Sequence, residues 1–274
     1  MKTKLILSVM LIALPLFAYA NALSNAVLRG NLEKVKLLVL KDEVNINAKD
    51  KYGSTALMYA VSNGHLEIIQ FLVSKGADLE IKDKYGYTAL SKALSSANMS
   101  KMTEREYAKY LEIAKYLIDN GANINTKDTN SNTPLMNASS ERYLEVVKLL
   151  ISKGADVNAK DNNGYTALME SARNGHFEVA EHLVKNGADI DAKNNDGATA
   201  LMFASGGGVI VSASRRGVAL STSGNLEIAK LLISKDADVN VKDNEGFTAI
   251  MYASKAGLTD IAKLTNIQRC GYKC

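Results

Sequence analysis

Residues 50–82 read DKYGSTALMYAVSNGHLEIIQFLVSKGADLEIK. The opening Asp-x-x-Gly is a turn, because Asp bonds to its own following backbone and Gly accepts positive φ. Thr55 stands where a helix N-cap belongs, its hydroxyl placed to accept from an amide two or three residues on. A short helix is expected through Leu57 and Ala60, stopping near Asn63-Gly64. His65 opens a second helix, in which Ile68, Ile69, Leu72 and Val73 recur at helical spacing as one apolar stripe. Gly76 caps its end. The stretch spells two short antiparallel helices and a projecting turn.

Imperfect copies follow: DKYGYTAL from Asp83, DTNSNTPLM from Asp128, DNNGYTALM from Asp161, NNDGATALM from Asn194 and DNEGFTAIMYA from Asp243. Their threonines, Thr55, Thr88, Thr133, Thr166, Thr199 and Thr248, are spaced by 33, 45, 33, 33 and 49 residues. That is one period of 33 with insertions of 12 and 16 residues. A second landmark, the GAD-type turn at Gly76, Gly121, Gly154, Gly187 and Asp236, repeats the spacings 45, 33, 33 and 49. Two independent landmarks agree, so the chain is a linear array. Pro134, directly after Thr133, supports the register, since proline is favoured at the first helical position.

The order turn, Thr-x-Leu, Gly-His, apolar helix, Gly-Ala-Asp resembles the ankyrin repeat. The tetratricopeptide repeat, near 34 residues, lacks the Asp-x-x-Gly turn and the GAD ending. The resemblance implies an all-α repeat solenoid of stacked helix-turn-helix units with projecting β-hairpin-like turns. It places a capping repeat at 21–49 and repeats at 50–82, 83–127, 128–160, 161–193 and 194–242, with a C-terminal capping repeat and Cys-containing tail at 243–274. Insertions fall near 95–106 and 206–221. The family usually writes Thr-Pro-Leu-His; here the histidine place holds Met58, Met136, Met169, Met202 and Met251. That substitution implies more apolar packing and fewer polar ties between repeats.

Residues 1–20, MKTKLILSVMLIALPLFAYA, combine Lys2 and Lys4, an apolar run from Leu5 to Phe17 and small residues at Ala18 and Ala20, the parts of a cleaved secretory signal. The competing reading is a membrane helix, which needs about 20 apolar residues. Asn21, not Cys, follows, so a lipoprotein anchor is not supported. Cleavage after Ala20 leaves 254 residues beginning at the threonine place of the first repeat, as a capping repeat requires, and lowers the formal charge from +4 to +2. The product is expected in the periplasm or outside the cell, monomeric and without membrane insertion. Scattered basic residues with no recognition motif give no reason to expect nucleic acid.

Cys270 and Cys274 lie in RCGYKC. In an exported chain they are expected to form a disulfide, Gly271 breaking the helix to let the loop close. Free thiols remain an alternative; a structural zinc site wants four ligands, and no nearby histidine helps supply them.

The first insertion carries Thr103 and Glu106 at capping-box spacing, ahead of an apolar stripe through Tyr107, Tyr110, Leu111, Ala114, Leu117 and Ile118. It reads as a polar loop and a longer outer helix. The second, SGGGVIVSASRRGVALSTSGN from Ser205, fits a protruding hairpin around Arg215, Arg216 and Gly217. It lacks P-loop spacing. The chain also lacks HExxH and GxSxG. His65 and His176 occupy the Gly-His place, where capping and packing are expected, and His182 faces Glu178 one turn away.

An enzyme is therefore not expected, and neither a cofactor nor a metal. The resemblance implies a protein-binding scaffold using its concave face and turn tips. The tip residues are Lys51, Tyr52, Ser54, Lys84, Tyr85, Tyr87, Asn162, Asn163, Tyr165, Asn195, Asp196, Asn244, Glu245 and Phe247. Tyr85, Tyr87, Tyr165 and Phe247 are the expected anchors, mostly exposed; the bland alternative is that Tyr52 and Tyr85 only pack tip to tip. A small-ligand or enzymatic site on the insertion at 205–223 is the competing function.

Overall fold

The computed structural model describes residues 22–41, 44–95, 103–206 and 222–270. Every regular element among them is a helix. The chain divides into two compact units, residues 1–129 and 130–274.

In the first unit, α1 (22–28) and α2 (Leu32–Val39) form the opening helix pair, followed by α3 (Ala56–Ser62) with α4 (Leu66–Ser74) and α5 (Ala89–Ser95) with α6 (Glu104–Asp119). α3 stacks on α5, and α2 on α4. The second unit repeats the plan with α7 (Pro134–Ser140) and α8 (Leu144–Ser152), α9 (Ala167–Asn174) and α10 (Phe177–Lys185), α11 (Ala200–Ala204) and α12 (Thr222–Ser234), and α13 (Ala249–Lys255) and α14 (Thr259–Cys270). There α7, α9, α11 and α13 make one row, and α8, α10, α12 and α14 the other.

The threonines start the first helix of every pair after the opening one. Thr55, Thr88, Thr133 and Thr166 each accept a hydrogen bond from the amide three residues on, at 3.3 Å. Thr199 and Thr248 make no such bond. At Thr248 the Met251 amide turns instead to the Thr248 carbonyl, 3.0 Å away. The capping box at Thr103 closes in both directions and begins the 16-residue α6.

Gly76, Gly121, Gly154 and Gly187 end the second helices at φ between 83° and 91°, with open space where a Cβ would stand. Left-handed backbone alone selects glycine there. Asp236 holds the same place at φ 64° and Arg142 holds the place of Gly64 at φ 60°.

The core is a column of repeated leucines, Leu57 and Leu90 in the first unit and Leu135, Leu168 and Leu201 in the second, none more than 1% exposed. Met58, Met136, Met169 and Met202 are buried beside them, while Met251 is 47% exposed. Among the described residues no later repeat covers Met251. The methionines thus supply the apolar packing expected of them. Polar ties between repeats are nevertheless frequent, because they are made at the turns. Asn47 Oδ1 accepts from Asp78, Glu80 Oε1 from Asn123, Asn158 Oδ1 from Asp189 and Asp191 Oδ1 from Asp238, all between 2.8 and 3.0 Å.

No helix among the described residues is long and apolar enough to cross a membrane. Residues 1–21 and 207–221 lie outside the described residues, so neither the signal segment nor the Arg215–Arg216 hairpin has a structural account. The disulfide expectation also falls outside them: Cys274 is not described, and of Cys270 only the backbone is.

Candidate functional site

Five of the projecting turns are each built by one acidic or amide side chain. Asp50 Oδ1 accepts the Tyr52 and Ser54 amides, Asp83 Oδ1 those of Tyr85 and Tyr87, and Asp161 Oδ1 those of Asn163 and Tyr165. Asn194 and Asp243 do the same for Asp196 with Ala198 and for Glu245 with Phe247. The second carboxylate oxygen reaches the first helix of the same repeat. Asp50 accepts from the Tyr59 hydroxyl at 2.5 Å, Asp83 meets the Lys92 ammonium at 2.7 Å, and Asp243 accepts from the Tyr252 hydroxyl. Burial alone would raise the Asp50 carboxyl, but the bonds from Tyr59, Ser54 and Tyr52 outweigh it and hold it low. The Tyr59 phenol is correspondingly pushed up to about 12 by its bond to Asp50 and by burial.

Backbone bonds join successive tips. In the first unit the Lys84 amide donates to the Tyr52 carbonyl at 2.9 Å and the Thr129 amide to Tyr85 at 3.0 Å. In the second, Asn162 donates to Asn130, Asn195 to Asn163 and Asn244 to Asp196, each at 2.9 Å. Two asparagine side chains reinforce this ladder: Asn195 Nδ2 donates to the Asn162 carbonyl and Asn244 Nδ2 to the Asn195 carbonyl, both at 3.0 Å. The signal for this second ladder was present as asparagine in the same slot of three consecutive repeats. It reads as a binding residue until the neighbouring tip is seen.

Of the fourteen tip residues, Lys51, Tyr52, Lys84, Tyr85, Asn162, Asn163, Asn195, Asp196, Asn244 and Glu245 are exposed. Ser54, Tyr87, Tyr165 and Phe247 are half-buried. Of the four anchors expected to be mostly exposed, this corrects three, Tyr87, Tyr165 and Phe247, and leaves Tyr85 as expected. The residue before the capping threonine turns back onto the first helices: Tyr165 stacks on Phe203 with centroids 5.2 Å apart, and Phe247 on Tyr252 at 5.4 Å. Burial pushes the Tyr87 and Tyr165 phenols up. Tyr52 and Tyr85, 43% and 52% exposed, are the rings presented to solvent, and Lys84 lies between them, 4.5 and 4.7 Å from their centroids.

The histidines serve packing. The His65 ring lies against Gly30, where a Cβ would come within 2.9 Å of it. His176 is half-buried with Nε2 2.9 Å from the Ser140 carbonyl; burial lowers its pKa and the neighbouring Arg142 adds to this. Glu178 pairs with Arg142 at 3.1 Å rather than with His182. Among the described residues no three His, Cys, Asp or Glu side chains gather to hold a metal ion.

The family model described as "Ankyrin repeats (3 copies)" matches residues 23–111, 102–194, 161–213 and 218–266. The chain belongs to the ankyrin-repeat family. Over 62 residues it is 42% identical to Ankyrin repeat domain-containing protein 29 of Danio rerio, covering 23% of this chain and 21% of that protein. Over 57 residues it is 51% identical to human Protein phosphatase 1 regulatory subunit 27, covering 21% of this chain and 36% of that one. An ankyrin repeat protein of Rickettsia bellii (strain RML369-C) is 38% identical over 66 residues, covering 22% of this chain and 39% of the relative. These alignments span well under two thirds of each relative's own length. Ankyrin repeats are generally modules of protein–protein interaction rather than enzymes. For this array such repeats imply a protein partner.

Proposed function

We propose that this ankyrin array is an exported, non-enzymatic, monomeric scaffold that holds a protein partner through its exposed turn tips and the first helices beside them. One observation carries the proposal. Ten exposed side chains sit on turns whose shape is set by the Asp and Asn caps and the backbone ladder, so the fold leaves the outward chemistry of Lys51, Tyr52, Lys84 and Tyr85 undictated. Rigid turns cost little further ordering on binding, and exposed Tyr is a favoured interface residue. The 51% identity over 57 residues to a protein named as a phosphatase regulatory subunit is consistent with a protein partner. Export is supported by Lys2, Lys4, the apolar run over 5–17 and Ala18-Tyr19-Ala20, and places the partner in the periplasm or outside the cell.

Fractionation with N-terminal sequencing, followed by crosslinked capture from the exported fraction, tests both parts. The expected product starts at Asn21 and captures a protein that a Tyr52→Ser/Tyr85→Ser chain does not retain. An unprocessed chain in the cytoplasm would overturn the export part, and equal capture by both chains would overturn the tip assignment.

A further inference from the structure

The residues that follow the turn-forming Asp or Asn differ along the chain. They are Lys51-Tyr52, Lys84-Tyr85, Thr129-Asn130, Asn162-Asn163, Asn195-Asp196 and Asn244-Glu245. The first unit therefore presents basic, aromatic tips, and the second presents amide and acidic ones.

In the first unit the chemistry is assembled before any partner arrives. The Lys84 amide bond to the Tyr52 carbonyl, 2.9 Å, fixes the spacing of the two tips. The Lys84 ammonium then lies 4.5 Å from the Tyr52 centroid and 4.7 Å from that of Tyr85, and the Lys51 ammonium lies 4.9 Å from Tyr52. The neighbouring lysines are already used: Lys82 Nζ donates to the Lys127 carbonyl and Lys92 pairs with Asp83. Lys51 and Lys84 form no ion pair among the described residues, and neither the Tyr52 nor the Tyr85 phenol makes a hydrogen bond among them. An ammonium carries three donors and no acceptor. Held between two rings, it presents donors outward with little rotamer freedom left to lose.

We propose that these two tips bind an acidic segment of the protein partner, its carboxylates meeting Lys51 and Lys84 and the Tyr52 and Tyr85 hydroxyls. The inference rests on the tip-binding reading and names the chemistry of what the tips hold. Two discrete ammonium groups, Lys84 between two rings and Lys51 against one, suit individual carboxylates on a peptide better than the continuous charge of a lipid surface. The complementary tips of a second copy, at Asp196 and Glu245, are the competing source of carboxylate.

Fluorescence anisotropy of labelled oligoglutamate against the full chain tests the proposal, with oligoglutamine and phosphatidylglycerol vesicles as comparison probes. The expected result is saturable oligoglutamate binding that weakens with salt. Lys51→Glu/Lys84→Glu is expected to lower the affinity about tenfold or more, while the charge-matched Lys115→Glu/Lys235→Glu, exposed on α6 and just past the end of α12, leaves it within about twofold. Both pairs of changes are on exposed side chains, and thermal melts confirm that the variants fold. Oligoglutamate affinity within about twofold after the lysine reversal would overturn the proposal. So would equal binding of oligoglutamine, preference for the vesicles, or self-association in sedimentation that the lysine reversal abolishes. If oligoglutamate fails while the captured partner still requires Tyr52 and Tyr85, the acidic assignment falls and the tip reading stands. If the partner is indifferent to those tyrosines as well, both fall.

Discussion

Tyr165 and Phe203 stack across neighbouring repeats with ring centroids 5.2 Å apart. The pair marks a division among the tip aromatics that governs what each substitution will do. Rings directly after the Lys of a tip point to solvent, and rings directly before the capping threonine pack on the array.

Truncation should therefore separate the two classes. Tyr165→Ser or Phe247→Ser is expected to cost about 2 kcal/mol of stability, from a lost aromatic pair and partial burial. Tyr52→Ser or Tyr85→Ser should stay within about 1 kcal/mol, since what is lost is exposed: the Lys51 and Lys84 cation–π contacts and the Tyr85–Tyr87 ring contact at 6.4 Å. Denaturant melts of the four variants measure this. Similar costs for all four would contradict the division.

Asp236 occupies a left-handed position that glycine fills in four other repeats. Asp236→Gly is expected to stabilise the array by about 0.5 to 1 kcal/mol, because Gly adopts φ 64° without a Cβ penalty. A rise in the denaturant midpoint at unchanged slope is the expected observation.

The capping box at Thr103 is the entry to the longest helix among the described residues. Thr103→Ala should cost about 1 kcal/mol by removing the acceptor for the Glu106 amide. Thr103→Ser, which keeps the oxygen, should restore most of it. Equal losses in both would point to the methyl group rather than the cap.

Two side chains set opposite pH limits. Burial depresses the His176 pKa, so the unfolded chain takes the proton more readily; stability is whole above about pH 6.5 and falls as pH drops through that value. His176→Gln keeps a donor for the Ser140 carbonyl and should flatten the dependence between about pH 7.5 and about pH 5.5. At the alkaline end, the Tyr59 phenol is raised to about 12, so its contribution is present below about pH 10 and is lost as pH rises through 12. Tyr59→Phe should remove that alkaline loss. Melting temperatures across pH decide both.

Much of the fold could be read from one repeated phrase, because threonine caps, left-handed glycines and leucine columns are local requirements restated every repeat. Thr55, Thr88, Thr133 and Thr166 show it directly. The site was legible only in part. Whether Tyr165 is bare or packed depends on Phe203, 38 positions away and in the next repeat, and local spacing carries no trace of that contact. The Asn195 and Asn244 amides were masked in the same way, since each bonds a carbonyl on the preceding tip. Lys51, Tyr52, Lys84 and Tyr85, by contrast, are where a turn-tip reading puts them.

Hydroxyl-radical footprinting of the array with and without its captured partner tests the central claim most directly. Tyr52 and Tyr85, 43% and 52% exposed, should react readily in the free protein, and severalfold less in the complex. Leu37, 61% exposed on the second helix α2, should keep its reactivity. Unchanged oxidation of both tyrosines in a saturated complex, with protection appearing instead in the 207–221 segment, would contradict the account and place the partner on the insertion.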